Sequence, residues 1–183
     1  MSLTSEAMSQ EHPITNQLEN LLFVEAGELK KKEGSSIEFT PVISSSPESA
    51  LVESFLTRFT PPDKIVRDMT SDNTPKALAA LVRGTFEAAF PEGQPKKVKA
   101  EGENAAPETA LKHEHLAKAK EPNTVLIIAD VDFLSDSFSV QKLNFLGQTI
   151  IQPSNDNLNL LLNAVEYLSG NDALMSIRSP GPT

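Results

Sequence analysis

The clearest fold signal in this chain of 183 residues is a five-residue apolar run, Val125-Leu126-Ile127-Ile128-Ala129. The run is rich in β-branched residues and is bounded by Pro122-Asn123 and Asp130, a pattern typical of a strand buried on both faces. A run of this length cannot cross a bilayer, which needs about 20 apolar residues. The run therefore predicts a central strand of a sheet that is covered on both sides.

An amphipathic helix pattern follows this strand. Asn155-Asp156-Asn157 supplies side chains that cap helix N-termini, and Gly170 suits the position just after a helix C-terminus. Leu174-Met175-Ser176-Ile177 then predicts a last short strand. The order strand, loop, helix, strand over residues 124–178 predicts an α/β fold with an open, mostly parallel sheet flanked by helices. The helix is expected to bury a stripe within an arc of about 120°, formed by Leu158, Leu161, Leu162, Val165 and Leu168.

Three upstream segments carry weaker signals. Ile37 and Phe39 alternate with polar residues as in a half-buried strand, and Pro41 indicates a sheet edge or a bulge. Ser46-Pro47-Glu48 is a typical helix start, and apolar residues at helical spacing follow it. Residues 77–86 contain alanines that favour a helix and a valine, a threonine and a phenylalanine that favour a strand. Propensity alone gives the helix a slight advantage there.

Size and polar segments define the organisation of the chain. A chain of 183 residues is expected to form a single domain, which we assign to residues 12–178. Residues 1–11 lack an apolar period and are predicted to be a disordered lead. Residues 95–122 consist mainly of Lys, Glu, Ala, Gly and Pro and are predicted to be a mobile insertion. Residues 179–183 are predicted to be an unstructured tail.

Composition excludes several classes of function. The net charge of −9 argues against nucleic acid as a partner. The chain has no cysteine, which excludes disulfides, thiolate zinc sites and cysteine nucleophiles. No Gly-x-Ser-x-Gly, Walker or Gly-x-Gly-x-x-Gly motif is present. The sequence therefore predicts no cofactor and no enzymatic activity.

Acidic and amide side chains after the predicted strand form a weak candidate ligand site. The carboxyl ends of strands are where α/β folds bind ligands, and oxygen ligands suit Mg²⁺ or Ca²⁺. The same residue types also satisfy backbone N–H groups in turns and at helix starts, and this structural interpretation is favoured, so no metal is assigned. A metal-assisted hydrolase and a sugar or peptide binder stay open as alternatives. The candidate residues are Asp130, Asp132, Asp136, Asn155 and Asp156.

Several segments resemble one family of transport proteins. The specific ones lie in the last third of the chain, and looser similarity extends upstream. Their order resembles the gliding-motility-type (GldG-like) ABC-transporter auxiliary family of uncharacterized transport systems. The segments are Thr124–Leu134, Asn155–Gly170 and Leu174–Arg178, with His12–Thr15, Phe39–Pro47 and Leu81–Phe86 upstream.

The resemblance implies a fold and a role. Members carry an extracytoplasmic α/β region similar to glutamine-amidotransferase-like domains, held by transmembrane helices beside an ABC exporter. It therefore implies a non-enzymatic accessory domain on the periplasmic face of the bacterial inner membrane. The resemblance implies that this domain binds permease and ATPase subunits, a related membrane protein or a transported ligand. No catalytic residue is carried over, since the nucleophilic cysteine of amidotransferases is missing here. In the family, residues 77–86 are a strand, and we adopt that assignment.

The resemblance also implies that the chain is a fragment. The transmembrane helices and upstream strands of the family are missing from this sequence, so we expect an incomplete sheet. An open sheet that lacks a neighbouring strand exposes unpaired backbone groups, which tend to pair with another chain. We therefore expect self-association as a symmetric dimer through that edge or the apolar surface beside it.

Overall fold

The computed structural model describes residues 1–93 and 115–170. Most of the predicted insertion, the predicted strand at 174–177 and the tail lie outside the described residues. The described elements, in chain order, are β1 (Ser2–Thr4), a 3-10 turn (Ser5–Ala7), β2 (Asn20–Leu22), β3 (Glu38–Ser44), α1 (Ser54–Phe59), α2 (Pro62–Asp68), β4 (Ala77–Gly84), β5 (Asn123–Ile128), α3 (Asp136–Ser139), β6 (Val140–Phe145), β7 (Gln148–Pro153) and α4 (Asn157–Leu168).

The strands form small sheets whose described pairings are all antiparallel. β1 pairs with β2, β3-β4-β5 form a three-stranded sheet, and β6 pairs with β7. The chain is therefore a mixed helix and strand protein, but the expectation of a mostly parallel sheet is wrong for the described residues. A parallel pair needs a crossover packed on the sheet. The connection from β3 to β4 contains α1 and α2, but neither helix has a buried residue.

The three-stranded sheet confirms the predicted strands. β4 covers most of residues 77–86 and is the central strand. β3 is an edge strand whose register shifts between Pro41 and Ile43, which confirms the predicted edge and bulge. β5 lies at the other edge, and its residues alternate between half-buried and exposed. The prediction that this strand is buried on both faces is wrong, because Val125 and Ile127 lie on its exposed side.

The first eleven residues are part of the fold, so the predicted disordered lead is wrong. β1 pairs with β2 over Ser2 to Thr4, and Leu3 and Met8 belong to the hydrophobic core. Two buried side chains in a short polar segment leave no detectable period, which is why the sequence pattern missed them. The fully buried residues around them include Ile14, Leu21, Phe23, Val42, Ile43 and Leu160.

Helix α4 begins and ends as predicted but buries a different face. Asp156 occupies the N-cap position, and Gly170 follows the helix with a φ of 70°, a left-handed conformation that glycine adopts easily. The predicted stripe is wrong: Leu161, Leu162, Val165 and Leu168 are exposed and Leu158 is half-buried. Leucines occupy both faces of this helix, so periodicity could not select the buried one. The buried residues are Asn157, Leu160 and Ala164.

Two local predictions also need correction. The helix expected from Ser46 begins only at Ser54, and its apolar side chains do not enter the core. The segment between β5 and α4, interpreted as a loop, contains the hairpin of β6 and β7. A two-residue turn joins the strands, with Leu146 at φ 48° and Gly147 at φ 79°. These angles match the type I′ turns that are favoured in two-residue hairpins.

A matched pair of truncations in α4 tests which face is buried. Leu160→Ala should lower the free energy of unfolding by about 2–5 kcal/mol, because it leaves a cavity in the core. Leu162→Ala, at 46% exposed in the same helix, should cost less than about 1 kcal/mol. Urea unfolding followed by circular dichroism measures both values. Equal losses, or a larger loss at Leu162, would contradict the described orientation of α4.

Candidate functional site

Asp130 directs both carboxylate oxygens to backbone N–H groups. It follows β5 and is buried. Its Oδ2 accepts the N–H of Val24 at 2.5 Å, and its Oδ1 accepts the N–H of Asp132 at 2.8 Å. Both hydrogen bonds use an ionised group as acceptor, which makes them stronger than neutral ones. The carboxylate therefore joins the segment after β2 to the turn after β5.

Asp156 and Asn157 make equivalent contacts at the start of α4. Asp156 Oδ2 accepts the N–H groups of Glu19 and Asn20 at 2.9 and 3.0 Å, and its own N–H donates to the Asn20 carbonyl at 2.8 Å. Asn157 is fully buried. Its Oδ1 accepts the N–H of Leu22 at 3.0 Å, and its Nδ2 donates to the carbonyls of Leu22 and Phe133 at 2.8 and 2.5 Å.

These side chains together act as a neighbouring strand for β2. The N–H of Phe23 donates to the carbonyl of Met1, on the side of β2 that faces β1. Because the N–H groups of successive residues in a strand point to opposite edges, those of Asn20, Leu22 and Val24 face the edge away from β1. Asp156, Asn157 and Asp130 accept those three N–H groups. We name this arrangement the β2 edge cap. Asp130 and Asp156 thus contact backbone N–H groups of the fold, and a ligand-binding role for these acids stays a prediction.

The other sequence candidates do not join the β2 edge cap. Asp136 is exposed, with its carboxylate 3.4 Å from the Lys142 ammonium. Asn155 donates its Nδ2 to the Phe138 carbonyl at 2.7 Å, and its Oδ1 accepts the N–H of Asn157 at 3.1 Å. Within residues 1–93 and 115–170, no group of three or more His, Cys, Asp or Glu residues is placed to hold a metal ion. The structure does not assemble the predicted candidates into one cluster.

Asn157 is the residue that the sequence analysis missed. The pattern assigned Asn155-Asp156-Asn157 to helix capping, and Asp156 does stand at the N-cap, but its side chain makes no capping hydrogen bond. A buried amide so far from Leu22 in the chain gives no periodic or motif signal. Its position beside a predicted helix start is the single hint that the sequence offers.

Replacement of Asn157 tests the β2 edge cap. Asn157→Leu keeps the size of the side chain but leaves the N–H of Leu22 and the carbonyls of Leu22 and Phe133 without their partner. Each buried unpaired group costs about 1–3 kcal/mol, so we expect the free energy of unfolding to fall by at least about 2 kcal/mol. Asn16→Leu, at an exposed turn position, is the control and should change stability by less than about 0.5 kcal/mol. Similar small effects for both variants would contradict the assigned role.

The hydrogen bonds of Asp156 make the stability of the fold depend on pH. Burial opposes ionisation, but the N–H groups of Glu19 and Asn20 and the Asn159 amide lower the pKa of Asp156 below its usual value. The unfolded chain therefore takes up this proton at a higher pH than the folded chain does. The resulting stabilisation is present above the ordinary Asp pKa of about 3.9 and is lost as the pH falls through the lowered pKa.

Asp156→Asn should reveal this dependence. The variant should be less stable than the parent protein at pH 7, and the difference should shrink as the pH falls from about 4 toward 2, following the linkage just described. Urea unfolding at a series of pH values measures the difference. If the difference in free energy of unfolding between the two proteins stays constant from about pH 4 to 2, ionisation of Asp156 does not stabilise the fold.

A second feature of the structure is an exposed apolar surface on residues 50–70, which we name the helical arm. It contains α1 and α2, and no residue of either helix is buried. The rings of Phe55 and Phe59 are 69% and 73% exposed, with their centroids 4.9 Å apart. A groove of about 420 Å³ runs between the helices. Its apolar lining comes from Leu51, Val52, Leu56, Ile65 and Met69.

Polar contacts hold the base of the helical arm. Ser71 donates its hydroxyl to the Pro47 carbonyl at 2.7 Å, which joins the two ends of the segment. The buried Lys76 ammonium lies 2.6 Å from the Asp72 carboxylate. The hydrogen bonds from Lys76 and from the Thr74 N–H lower the pKa of Asp72 below its usual value. The base is therefore fixed to β3 and β4, while the apolar face of the arm stays in solvent.

In the described residues, Asp130 and Asp156 contact backbone N–H groups, and the phenylalanines of the helical arm are exposed. Residues 2–164 match the family model described as an ABC-type uncharacterized transport system. The chain belongs to this family and is an auxiliary component of an ABC-type transport system. The narrower gliding-motility-type assignment stays a prediction.

The remaining comparisons add no relatives. No curated protein and no solved structure matches the chain. Among the helices of the described ranges, none is long and apolar enough to span a membrane. The family match is therefore the basis for the role of this chain.

Proposed function

We propose that this auxiliary component is a non-enzymatic binding domain that docks on a protein subunit of its transporter through the helical arm. The exposed phenylalanines of α1 carry the proposal. Large exposed apolar patches mark interaction surfaces in soluble domains, and aromatic side chains are the residues that most often dominate binding energy. The phenylalanines of the helical arm do not pack in the core, so we assign them to a contact with another protein.

The composition of the helical arm indicates the chemistry of the partner. The helical arm carries three cations, Arg58, Lys64 and Arg67, and three carboxylates, Glu53, Asp63 and Asp68, so it has no net charge in a chain of net charge −9. The Arg67 guanidinium lies 3.0 Å from the Asp63 carboxylate, with both side chains well exposed. Glu53, Lys64 and Asp68 add charges of both signs to the lining of the apolar groove, and an apolar centre with a polar rim matches the usual anatomy of a protein interface. The partner we propose is the permease or ATPase subunit, with the permease favoured by the periplasmic placement that the family resemblance implies.

The hydrolase alternative has no support from the described residues. A metal-assisted hydrolase needs acids that converge on an open coordination site. Asp130 and Asp156 instead direct their oxygens to backbone N–H groups, and Asp136 lies apart with Lys142. We therefore propose that the acids of this chain serve the fold and that the domain acts by binding.

Substitution of the aromatic pair tests the proposal. The double variant Phe55→Ser, Phe59→Ser should reduce co-purification with the permease and ATPase subunits of its transporter by at least tenfold. Truncation of a central aromatic contact costs about 2 kcal/mol or more. Stability should change by less than about 1 kcal/mol, because both rings lie on the surface. Affinity capture from detergent-solubilised membranes, with quantitative immunoblotting of each subunit, measures the loss.

Val131→Ser provides the matched control. Val131 is 96% exposed and lies outside the helical arm, so its loss should leave capture unchanged. A photoreactive benzoylphenylalanine at position 55, compared with the same group at position 131, identifies which subunit is contacted. Unchanged capture by the double variant, or equal crosslinking from both positions, would contradict docking through the helical arm.

A further inference from the structure

The hairpin of β6 and β7 extends away from the core. Its base is held by the N–H of Ser154, which donates to the Ser139 carbonyl at 3.0 Å, and by Asn155, which donates to the Phe138 carbonyl at 2.7 Å. Every residue of β7 is exposed. A two-stranded hairpin by itself is marginally stable in water, and further strands or a packed face are needed to stabilise it.

β7 is an edge strand without the usual protection. Natural edge strands carry charges, prolines or bulges that prevent pairing with other chains. The sequence of β7 is Gln-Thr-Ile-Ile-Gln-Pro, which has no charge and has its proline only at the end. The register with β6 is regular along its whole length. Lys142 is the single charged residue of the hairpin, and it lies on β6, 3.4 Å from the Asp136 carboxylate.

The turn determines which backbone groups of β7 face outward. Phe145 and Gln148 flank the two-residue turn and pair with each other, so they form the closing hydrogen-bonded pair of the hairpin. Hydrogen-bonded and non-hydrogen-bonded pairs then alternate along the ladder. Thr149 and Ile151 fall at non-hydrogen-bonded positions, so their N–H and C=O groups point away from β6. No described residue pairs with this outer edge.

We propose that β7 pairs with β7 of a second copy of this chain, antiparallel and about a two-fold axis at Ile150. Thr149 of each copy then faces Ile151 of the other, and the two pairs exchange their free N–H and C=O groups. Ile150 faces Ile150 of the second copy. The two hairpins become one four-stranded sheet in the order β6-β7-β7-β6, which meets the need for additional strands.

Side chains of the hairpin complement this pairing. Leu143 pairs with Ile150 across the hairpin, and both are largely exposed. In the dimer, the two Leu143–Ile150 pairs lie in one continuous apolar row across the four strands. Cross-strand pairs of apolar residues stabilise sheets by about 0.2–1 kcal/mol each. The row is therefore self-complementary, as a two-fold interface requires.

The net charge of the chain does not prevent a second copy from occupying this edge. Two chains of net charge −9 repel each other, and this repulsion is screened beyond about 8 Å at physiological salt. The uncharged β7 edge extends from the core, so two copies can meet there while their acidic surfaces stay separated. This inference does not depend on the proposed docking of the helical arm.

Single cysteine variants test the pairing directly, because the chain contains no other cysteine. Facing residues at a non-hydrogen-bonded position have Cα atoms about 4.5 Å apart, within the range that a disulfide bridges. Ile150→Cys should therefore form a disulfide-linked dimer under mild oxidation at micromolar concentration. Thr149→Cys should crosslink at least tenfold more slowly. The two Thr149 residues are offset by two positions along neighbouring strands, and with a rise of about 3.3 Å per residue their Cα atoms lie about 8 Å apart, too far for a disulfide.

Val131→Cys, at an exposed position outside the hairpin, measures random collision. Crosslinking of Ile150→Cys no faster than Val131→Cys would overturn the proposal. Sedimentation equilibrium gives a second readout without oxidation: the parent chain should approach twice its 19.8 kDa mass as concentration rises. Ile150→Lys should weaken association at least tenfold while Val131→Lys, with the same charge change, should not. A parent chain that is monomeric at every concentration would also overturn it.

Discussion

The fold depends on how the second edge of β2 is satisfied. β2 pairs with one strand, β1. Its other edge lies against the N-terminus of α4 and the residues that follow β5. A backbone N–H or C=O group that is buried without a hydrogen-bond partner costs free energy comparable to a lost hydrogen bond. The carboxylates of Asp130 and Asp156 and the amide of Asn157 accept these N–H groups, and so they fix two distant segments, the turn after β5 and the start of α4, to one strand.

This use of the acids decides where function can lie. A carboxylate that accepts two backbone N–H groups is committed to the fold, and its oxygens are not directed at an open site. The surfaces that the fold does not need are the helical arm and the hairpin, where Phe55, Phe59, Ile150 and Ile151 are exposed. The two differ in chemistry: the arm presents phenylalanines beside charges of both signs, whereas β7 presents an uncharged strand edge. We therefore propose separate surfaces for a transporter subunit and for a second copy of the chain.

Local sequence patterns predicted the local structure well. The strands β3 and β5, the irregularity at Pro41 and the end of α4 at Gly170 follow from residues close to one another. For β4, propensity alone favoured a helix, and the family resemblance supplied the strand. The patterns failed where a residue's role depends on a distant partner. Asn157 meets Leu22 across 135 positions, and Leu160 rather than Leu162 enters the core because of what lies against α4. The prediction of parallel strand pairing failed for the same reason. Helices α1 and α2 lie between β3 and β4 in the chain, but they do not pack on the sheet as a parallel crossover would.

Amide hydrogen exchange tests the central claim most directly. The N–H groups of Asn20, Leu22 and Val24 should be protected in the parent chain although no strand pairs with that edge in the described residues. In Asn157→Leu, protection should fall most at Leu22, while the amides of Leu21 and Phe23, on the β1 side, should keep more of theirs. Exchange of Leu22 at the rate of an unprotected amide in the parent chain would contradict the account.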